Sequence, residues 1–225
     1  KAFMKELDPE ALASQLRSPH GDHAKAVGEF MSKGNKRLYA LLFRRMTENP
    51  IGSVLEVGCG NGWYMDQFLA LGNATTYQGL DLSEEMVRDA HERIKALGKT
   101  DLASVQQGDI LHWQSDVQYD LVIAMNLIYF FPEPSELIKR LSGFLKPGGQ
   151  LLLGFRTAGS MQQLPFASFG FRLFEPNEVE DLFKGAGLTS IDTQLEREEL
   201  ETPAGTFSLV NAVVSGIRPS VRALD

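Results

Sequence analysis

The fold is decided by Val54-Leu55-Glu56-Val57-Gly58-Cys59-Gly60-Asn61-Gly62, an apolar run that passes directly into a glycine-rich turn. Glycine reaches φ > 0 without steric cost and carries no side chain, so such a turn lets the backbone approach a nucleotide-like ligand closely. The dinucleotide fingerprint G-x-G-x-x-G sets its last glycine three residues past the second and seats a pyrophosphate on a helix N-terminus. Here Gly60 and Gly62 stand two apart, and the acidic Glu56 sits at the strand end just before the turn. A carboxylate there repels phosphate but suits an amine or ammonium group, directly or through water. The spacing therefore speaks against an NAD(P)-dependent oxidoreductase.

Downstream of this turn, strands alternate with helices. Ser53–Val57 reads as the first strand and Trp63–Leu71 as the helix after it. Thr76–Leu80 is the second strand, and Ser83 caps a helix reaching Leu97, with Glu84 and Glu85 at the positive end of its dipole. Leu102–Gln107 and Tyr119–Met125 are the next strands, the latter apolar enough to be buried on both faces. A helix over Pro134–Leu145 is stopped by Lys146-Pro147-Gly148-Gly149, followed by a strand at Gln150–Phe155 and a helix at Pro176–Ala186. Strands Leu188–Glu196 and Phe207–Gly216 follow one another without a helix, so they pair antiparallel through Glu198–Gly205. Upstream, Leu12, Leu16, Val27, Phe30, Met31, Leu38, Leu41 and Leu42 recur at helical spacing, broken at Ser18–Asp22 and again at Gly34-Asn35. The expected fold is α/β: a doubly wound, seven-stranded, mostly parallel sheet with an antiparallel last strand, plus an N-terminal helical cap. Residues 1–50 would form the cap or lid, 51–218 a Rossmann-like domain and 219–225 a C-terminal tail.

Sheets of this kind bind ligands beyond the carboxyl ends of their strands. The second strand ends at Asp81, twenty-three positions past Gly58, where a carboxylate can accept two hydrogen bonds from ribose hydroxyls. The third strand is followed by Gly108-Asp109-Ile110, suited to an adenine amine beside an apolar wall. The fourth ends at Asn126 and the fifth at Arg156.

In order and spacing, Val54–Gly62, Gly79–Ser83, Gly108–Ile110, Tyr119–Val122 with Asn126, and Leu145–Gly149 resemble the successive motifs of the class I S-adenosylmethionine-dependent methyltransferases. The resemblance covers about residues 50 to 216 and implies S-adenosylmethionine as cofactor and S-adenosylhomocysteine as product. It implies that Glu56, Gly58 and Gly60 border the methionine moiety, with Cys59 a small filler in the same turn. By the same resemblance Asp81 would hold the ribose, Leu82 and Met86 would pack on the adenine, and Asp109 would meet its amine between Gly108 and Ile110. The backbone near Asn126 would face the methyl group. Asn126 is not followed by Pro-Pro-aromatic, no Pro-Cys pair follows the fourth strand, and no cysteine-rich signature is present. The amino-methylating nucleic acid enzymes, the cytosine C5 enzymes and the arsenite methyltransferases are thereby disfavoured.

At 225 residues, 43% hydrophobic, the chain fits one ordinary globular domain with a cap. A net charge of −7 argues against a nucleic-acid-binding face, and Lys33, Lys36, Arg37, Arg44 and Arg45 read as a solvated helix face. Cys59 is the single cysteine, so neither an internal disulfide nor a cysteine zinc site can form. No metal is expected, since His20, Asp22 and His23 in one break are too little to hold one. No apolar run reaches the ~18 residues of a membrane span, and the cytoplasm is the expected location. A general base is needed only if the acceptor carries a proton, and the candidates are His20, His23 and Tyr129. Rings at Tyr129, Phe130, Phe131, Phe155, Phe166, Phe169, Phe171 and Phe174 point to a small apolar or aromatic methyl acceptor, with Arg156 and Arg172 either pairing with an acceptor carboxylate or standing as surface charges. A methyltransferase acting on RNA or protein, and a non-catalytic S-adenosylmethionine-binding protein, remain the alternatives. Nothing in the sequence marks an oligomer interface.

Overall fold

The structure is a computed structural model that describes residues 7–46, 51–72, 75–202 and 205–220. The outer parts of the expected cap (1–6, 47–50) and most of the expected tail (221–225) lie outside the described residues. Asp8 accepts the Ala11 N–H at 2.7 Å and opens α1 (Pro9–Arg17), with Pro9 at its first position. The chain breaks after Arg17 and again at Asn35, giving α2 (Ala24–Gly34) and α3 (Lys36–Phe43). The alternating part follows: β1 (Ser53–Val57), α4 (Met65–Leu69), β2 (Thr76–Asp81), α5 (Glu84–Leu97), β3 (Ala103–Gln107) and β4 (Tyr119–Met125). Then come α6 (Pro134–Gly143), β5 (Leu145–Arg156), α7 (Ala158–Met161), α8 (Pro176–Gly185), β6 (Thr189–Thr202) and β7 (Gly205–Ile217). Ser83 caps α5 by accepting the Met86 N–H at 3.2 Å, and Gly98 closes it in the left-handed conformation.

The sheet order is β3-β2-β1-β4-β5-β7-β6. The first five strands pair in parallel, and β7 runs antiparallel to both neighbours. This is the doubly wound, seven-stranded sheet expected from the sequence, with its switch point between β1 and β4. Strand alternation splits the core in two. Leu55, Val57, Val122, Ala124, Leu151 and Leu153 face the layer that holds α6 and α8. Val54, Leu121, Ile123, Leu152 and Val213 face the layer of α3, α4 and α5.

Three local expectations need correction. The run Lys146-Pro147-Gly148-Gly149 does not end a helix. Helix α6 stops at Gly143 and β5 starts at once, pairing Leu145 with Tyr119 before a register shift. A Cβ on Gly149 would sit 3.0 Å from the Tyr119 carbonyl and 2.9 Å from that of Lys146, so the glycine is there to let the bulged strand pass. The charged stretch after Glu196 is an edge strand and not a connection, because the β6–β7 ladder runs on to the Thr202–Gly205 pair. Three arginines in and just past α3 are paired and not merely solvated. Arg37 and Arg44 pair with Glu196, and Arg45 pairs with Asp192, clasping the helix to β6. Among the described residues no helix is long and apolar enough to cross a membrane.

Candidate functional site

The glycine turn leaves β1 with Gly58 and Gly60 at φ of 73° and 55°, a conformation that side-chain-bearing residues avoid. The Gly60 N–H points to Asp81 Oδ2 at 2.8 Å, while the Ser83 N–H takes Oδ1 at 3.0 Å. These bonds fix the Asp81 carboxylate at the end of β2, and its remaining lone pairs stay open for hydroxyl donors. Burial raises its pKa, and the backbone N–H groups oppose that rise.

One crevice beyond the strand ends is walled by Gly58, Cys59, Gly60, Asp81, Leu82 and Met86 on one side. Gly108, Asp109, Ile110 and Asn126 also line it. Every residue expected to touch the cofactor lies on this wall except Glu56. Leu82 stands 46% exposed, an apolar shelf of the kind a flat ring covers, and Met86 is buried behind it. Asp109 holds the Leu111 N–H at 3.0 Å and pairs with His112 at 3.1 Å. Cys59 is the filler expected of it: its sulfur packs where a Cβ on Gly79 would come within 2.7 Å.

Glu56 points the other way. Position 56 shares the face of Val54, so its side chain enters the α3–α4 layer, not the crevice, and is 1% exposed. Tyr39 and Tyr77 each donate a hydroxyl to it at 2.5 Å. Burial lifts its pKa to about 7 against the lowering effect of the two hydroxyls. Its contact with the crevice is indirect, since Tyr39 lines the wall and stacks on Tyr64 at 3.7 Å.

A second cavity, about 240 Å³, adjoins the first and shares Leu16, Met31, Asn35, Asn126 and Phe130 with it. Its own walls are apolar and aromatic, including Leu12, Phe30, Met161, Leu164, Phe166 and Phe171. Asn126 stands between the two. It is a non-glycine residue at φ 52°, held there by Tyr129, whose hydroxyl donates to its Oδ1 at 3.0 Å, and by Asn35, which accepts from its Nδ2 at 2.9 Å. Of the three expected base candidates, only Tyr129 reaches either cavity. Its buried hydroxyl also accepts the Arg156 N–H at 2.5 Å, and burial pushes its pKa far above the ordinary tyrosine value. His20 is exposed, with Nδ1 on the Ser18 carbonyl at 2.8 Å, and His23 opens α2; neither lines either of these two cavities. The break that carries them is tied to the start of α5 by its backbone, through Ser83 Oγ donating to the Pro19 carbonyl at 2.5 Å. Arg172 donates to the Pro132 carbonyl at 2.8 Å and lines neither cavity.

Residues missed from the sequence are the cap's own contributors, Gly28, Met31, Asn35 and Tyr39. The only advance signal was the Gly34-Asn35 interruption, which turns out to deliver an amide to the strand-four exit.

A methyltransferase-domain family model matches residues 54–149. The chain is 30% identical over 173 residues to the uncharacterized methyltransferase YdaC of Bacillus subtilis, covering 76% of this chain and 90% of YdaC. It is 30% identical over 146 residues to a malonyl-acyl-carrier-protein O-methyltransferase of Ilyobacter polytropus, covering 60% of this chain and 54% of that enzyme. The chain spans between 49% and 64% of the length of four malonyl-acyl-carrier-protein methyltransferases to which it is similar. Among solved structures, a Haemonchus contortus phosphoethanolamine N-methyltransferase with S-adenosylhomocysteine bound superposes with a TM-score of 0.70 at 15% identity. That match covers 95% of this chain and 61% of the nematode enzyme, and at such identity it speaks to the fold alone.

Proposed function

Because this chain belongs to the class I S-adenosylmethionine-dependent methyltransferase family, we propose that it methylates a small apolar or aromatic molecule. The observation that carries this is the pair of adjoining cavities, one floored by glycine backbone and walled by carboxylates, the other apolar, meeting at Asn126. The residues of the first cavity fit the cofactor. Asp81 and Asp109 are acceptors for ribose hydroxyls and an adenine amine, and the two-residue step from Gly60 to Gly62 departs from the dinucleotide fingerprint that seats a pyrophosphate. Leu82, Met86 and Ile110 offer the apolar faces that a purine ring covers. When bound, S-adenosylmethionine supplies an electrophilic sulfonium methyl for in-line displacement.

The chain's own part is positioning and exclusion of water. Helix α2 roofs the crevice, with Ser32 Oγ donating to Asn61 Oδ1 at 3.1 Å and Tyr64 donating to the Ser32 carbonyl at 2.7 Å. Tyr129 holds Asn126 at the junction where acceptor and methyl group would meet, and such alignment can be worth ~7–11 kcal/mol in favourable cases. With the donor bound, the methyl would pass to the acceptor's lone pair while the carbon–sulfur pair returned to sulfur, so this chain's residues need only align the two and keep water out.

Calorimetry with S-adenosylhomocysteine and NAD side by side tests the first cavity, and a thermal-stability screen of phenols, quinones, amines and fatty acids with S-adenosylhomocysteine present tests the second. We expect binding of the first nucleoside, none of NAD, and at least one class of small apolar compound that raises the melting temperature and accepts a labelled methyl group. Failure of S-adenosylhomocysteine to bind would end the proposal.

A further inference from the structure

The apolar cavity has one charged wall residue. Arg156, the last residue of β5, brings its guanidinium there with only 13% of the side chain exposed, and no other described residue lining that cavity is charged. The guanidinium is incompletely matched. One Nη donates to the Gly34 carbonyl at 2.9 Å. The Glu198 carboxylate lies 4.0 Å away, at the limit of an ion pair, and its same oxygen already accepts from Asn211 at 2.6 Å. The Arg156 Nε is buried with no acceptor at all. A buried N–H left unpaired is costly, more so on a charged group, and a guanidinium offers donors in a planar fork shaped for a carboxylate.

The proton inventory of the cavity leads to the same class of ligand. Its titratable wall residues are Tyr129 and Arg156. The Tyr129 hydroxyl is committed between Asn126 and the Arg156 backbone, and burial keeps its proton on. An acceptor methylated at a hydroxyl or ammonium group must lose a proton and finds no base on this wall, whereas one methylated at its own carboxylate oxygen arrives ionised and has none to release.

We propose that Arg156 recognises an anionic head on the methyl acceptor, so that the cavity takes apolar or aromatic acids, bound as carboxylates, in preference to neutral molecules of the same shape. The assignment rests on the small-molecule methyltransferase reading and narrows its substrate class.

The test is calorimetry on the full chain saturated with S-adenosylhomocysteine, comparing octanoate, cinnamate and naphthoate with octanol, cinnamyl alcohol and naphthylmethanol. Each acid should bind at least about tenfold more tightly than its alcohol, the scale of one charge-assisted hydrogen bond. Arg156→Gln should abolish that preference while leaving the alcohols and S-adenosylhomocysteine unaffected, and Arg156→Lys should keep part of it. Glu198→Gln removes the competing carboxylate without touching the guanidinium, so it should tighten the acids severalfold and leave the alcohols unchanged. This second variant decides the matter if Arg156→Gln does not fold. Equal affinity for acids and alcohols in the native chain, a preference that survives Arg156→Gln, or no tightening in Glu198→Gln overturns the assignment. If S-adenosylhomocysteine binds and neither series does, the acceptor assignment alone falls; if S-adenosylhomocysteine does not bind, the methyltransferase reading beneath it falls.

Discussion

Glu56 takes its hydrogen bonds from two tyrosine hydroxyls, and burial holds its pKa near 7 against 4.5 in an unfolded chain. Between those values the folded protein binds more protons at this site than the unfolded chain, so stability falls as pH rises from about 4.5 to about 7. The penalty approaches ~3 kcal/mol at and above the upper limit, by the worth of a pKa unit. Glu56→Gln keeps an acceptor for one tyrosine and an N–H for the other, and it cannot ionise. Denaturant unfolding across this range should therefore show the variant gaining on the native protein by roughly that amount as pH rises. A stability difference that stays flat with pH would show that Glu56 does not titrate there. Asp81 is the counterpart on the crevice side, where two backbone donors fix its carboxylate. Asp81→Ala should weaken S-adenosylhomocysteine about 10–100-fold by calorimetry, the value of one or two bonds to a charged acceptor. Unchanged affinity would remove the ribose from this residue.

At the scale of elements, α2 and α5 touch through Gly28, where an added Cβ would lie 2.7 Å from Met86 Sδ. Alanine gains helix propensity of ~1 kcal/mol over glycine, which offsets much of the crowding, since the end of a methionine side chain can move. Gly28→Ala is thus expected to leave thermal stability within a few degrees of native while displacing Met86 from the crevice wall, seen as severalfold weaker S-adenosylhomocysteine binding. Loss of stability with intact binding would contradict that account. The same contact illustrates what a sequence can and cannot convey. Strand cores and the caps of α5 were legible because periodicity and Ser83 act locally. The side on which Glu56 falls was also available, because Val54 and Glu56 share a face by alternation, but motif position suggested the crevice instead. Gly28, Asn35 and Tyr39 were not legible: each matters through a partner on another element, 58, 91 and 17 positions away respectively, and helical periodicity marks a buried face without saying what it meets. The Gly148-Gly149 pair misled for a related reason, since a helix stop and a strand bulge call for the same residue.

For the molecule as a whole, the cap is tied to the sheet by polar contacts at several separate points. Tyr39 reaches Glu56, Asn35 reaches Asn126, and Ser32 reaches Asn61. At the far end Gln150 Nε2 donates to the Arg45 carbonyl at 3.1 Å, and Arg44 and Arg45, just past α3, pair with β6. Exposed ion pairs contribute only ~0–1 kcal/mol each, so the buried bonds and the apolar face of α3 carry most of the coupling. Cap and sheet should then unfold as one unit, although each contributes separately to the crevice. S-adenosylhomocysteine at a hundred times its dissociation constant should raise stability by ~2.7 kcal/mol, a shift of several degrees for a chain of this size. Trp63 lines the crevice and Trp113 packs on Phe144 in the opposite layer, so fluorescence and far-ultraviolet dichroism sample both halves. We expect the two signals to coincide in a single calorimetric transition that moves upward intact with ligand. An early, ligand-insensitive loss of helical signal ahead of the main transition would mean that the helices over the crevice fold independently of the sheet they cover.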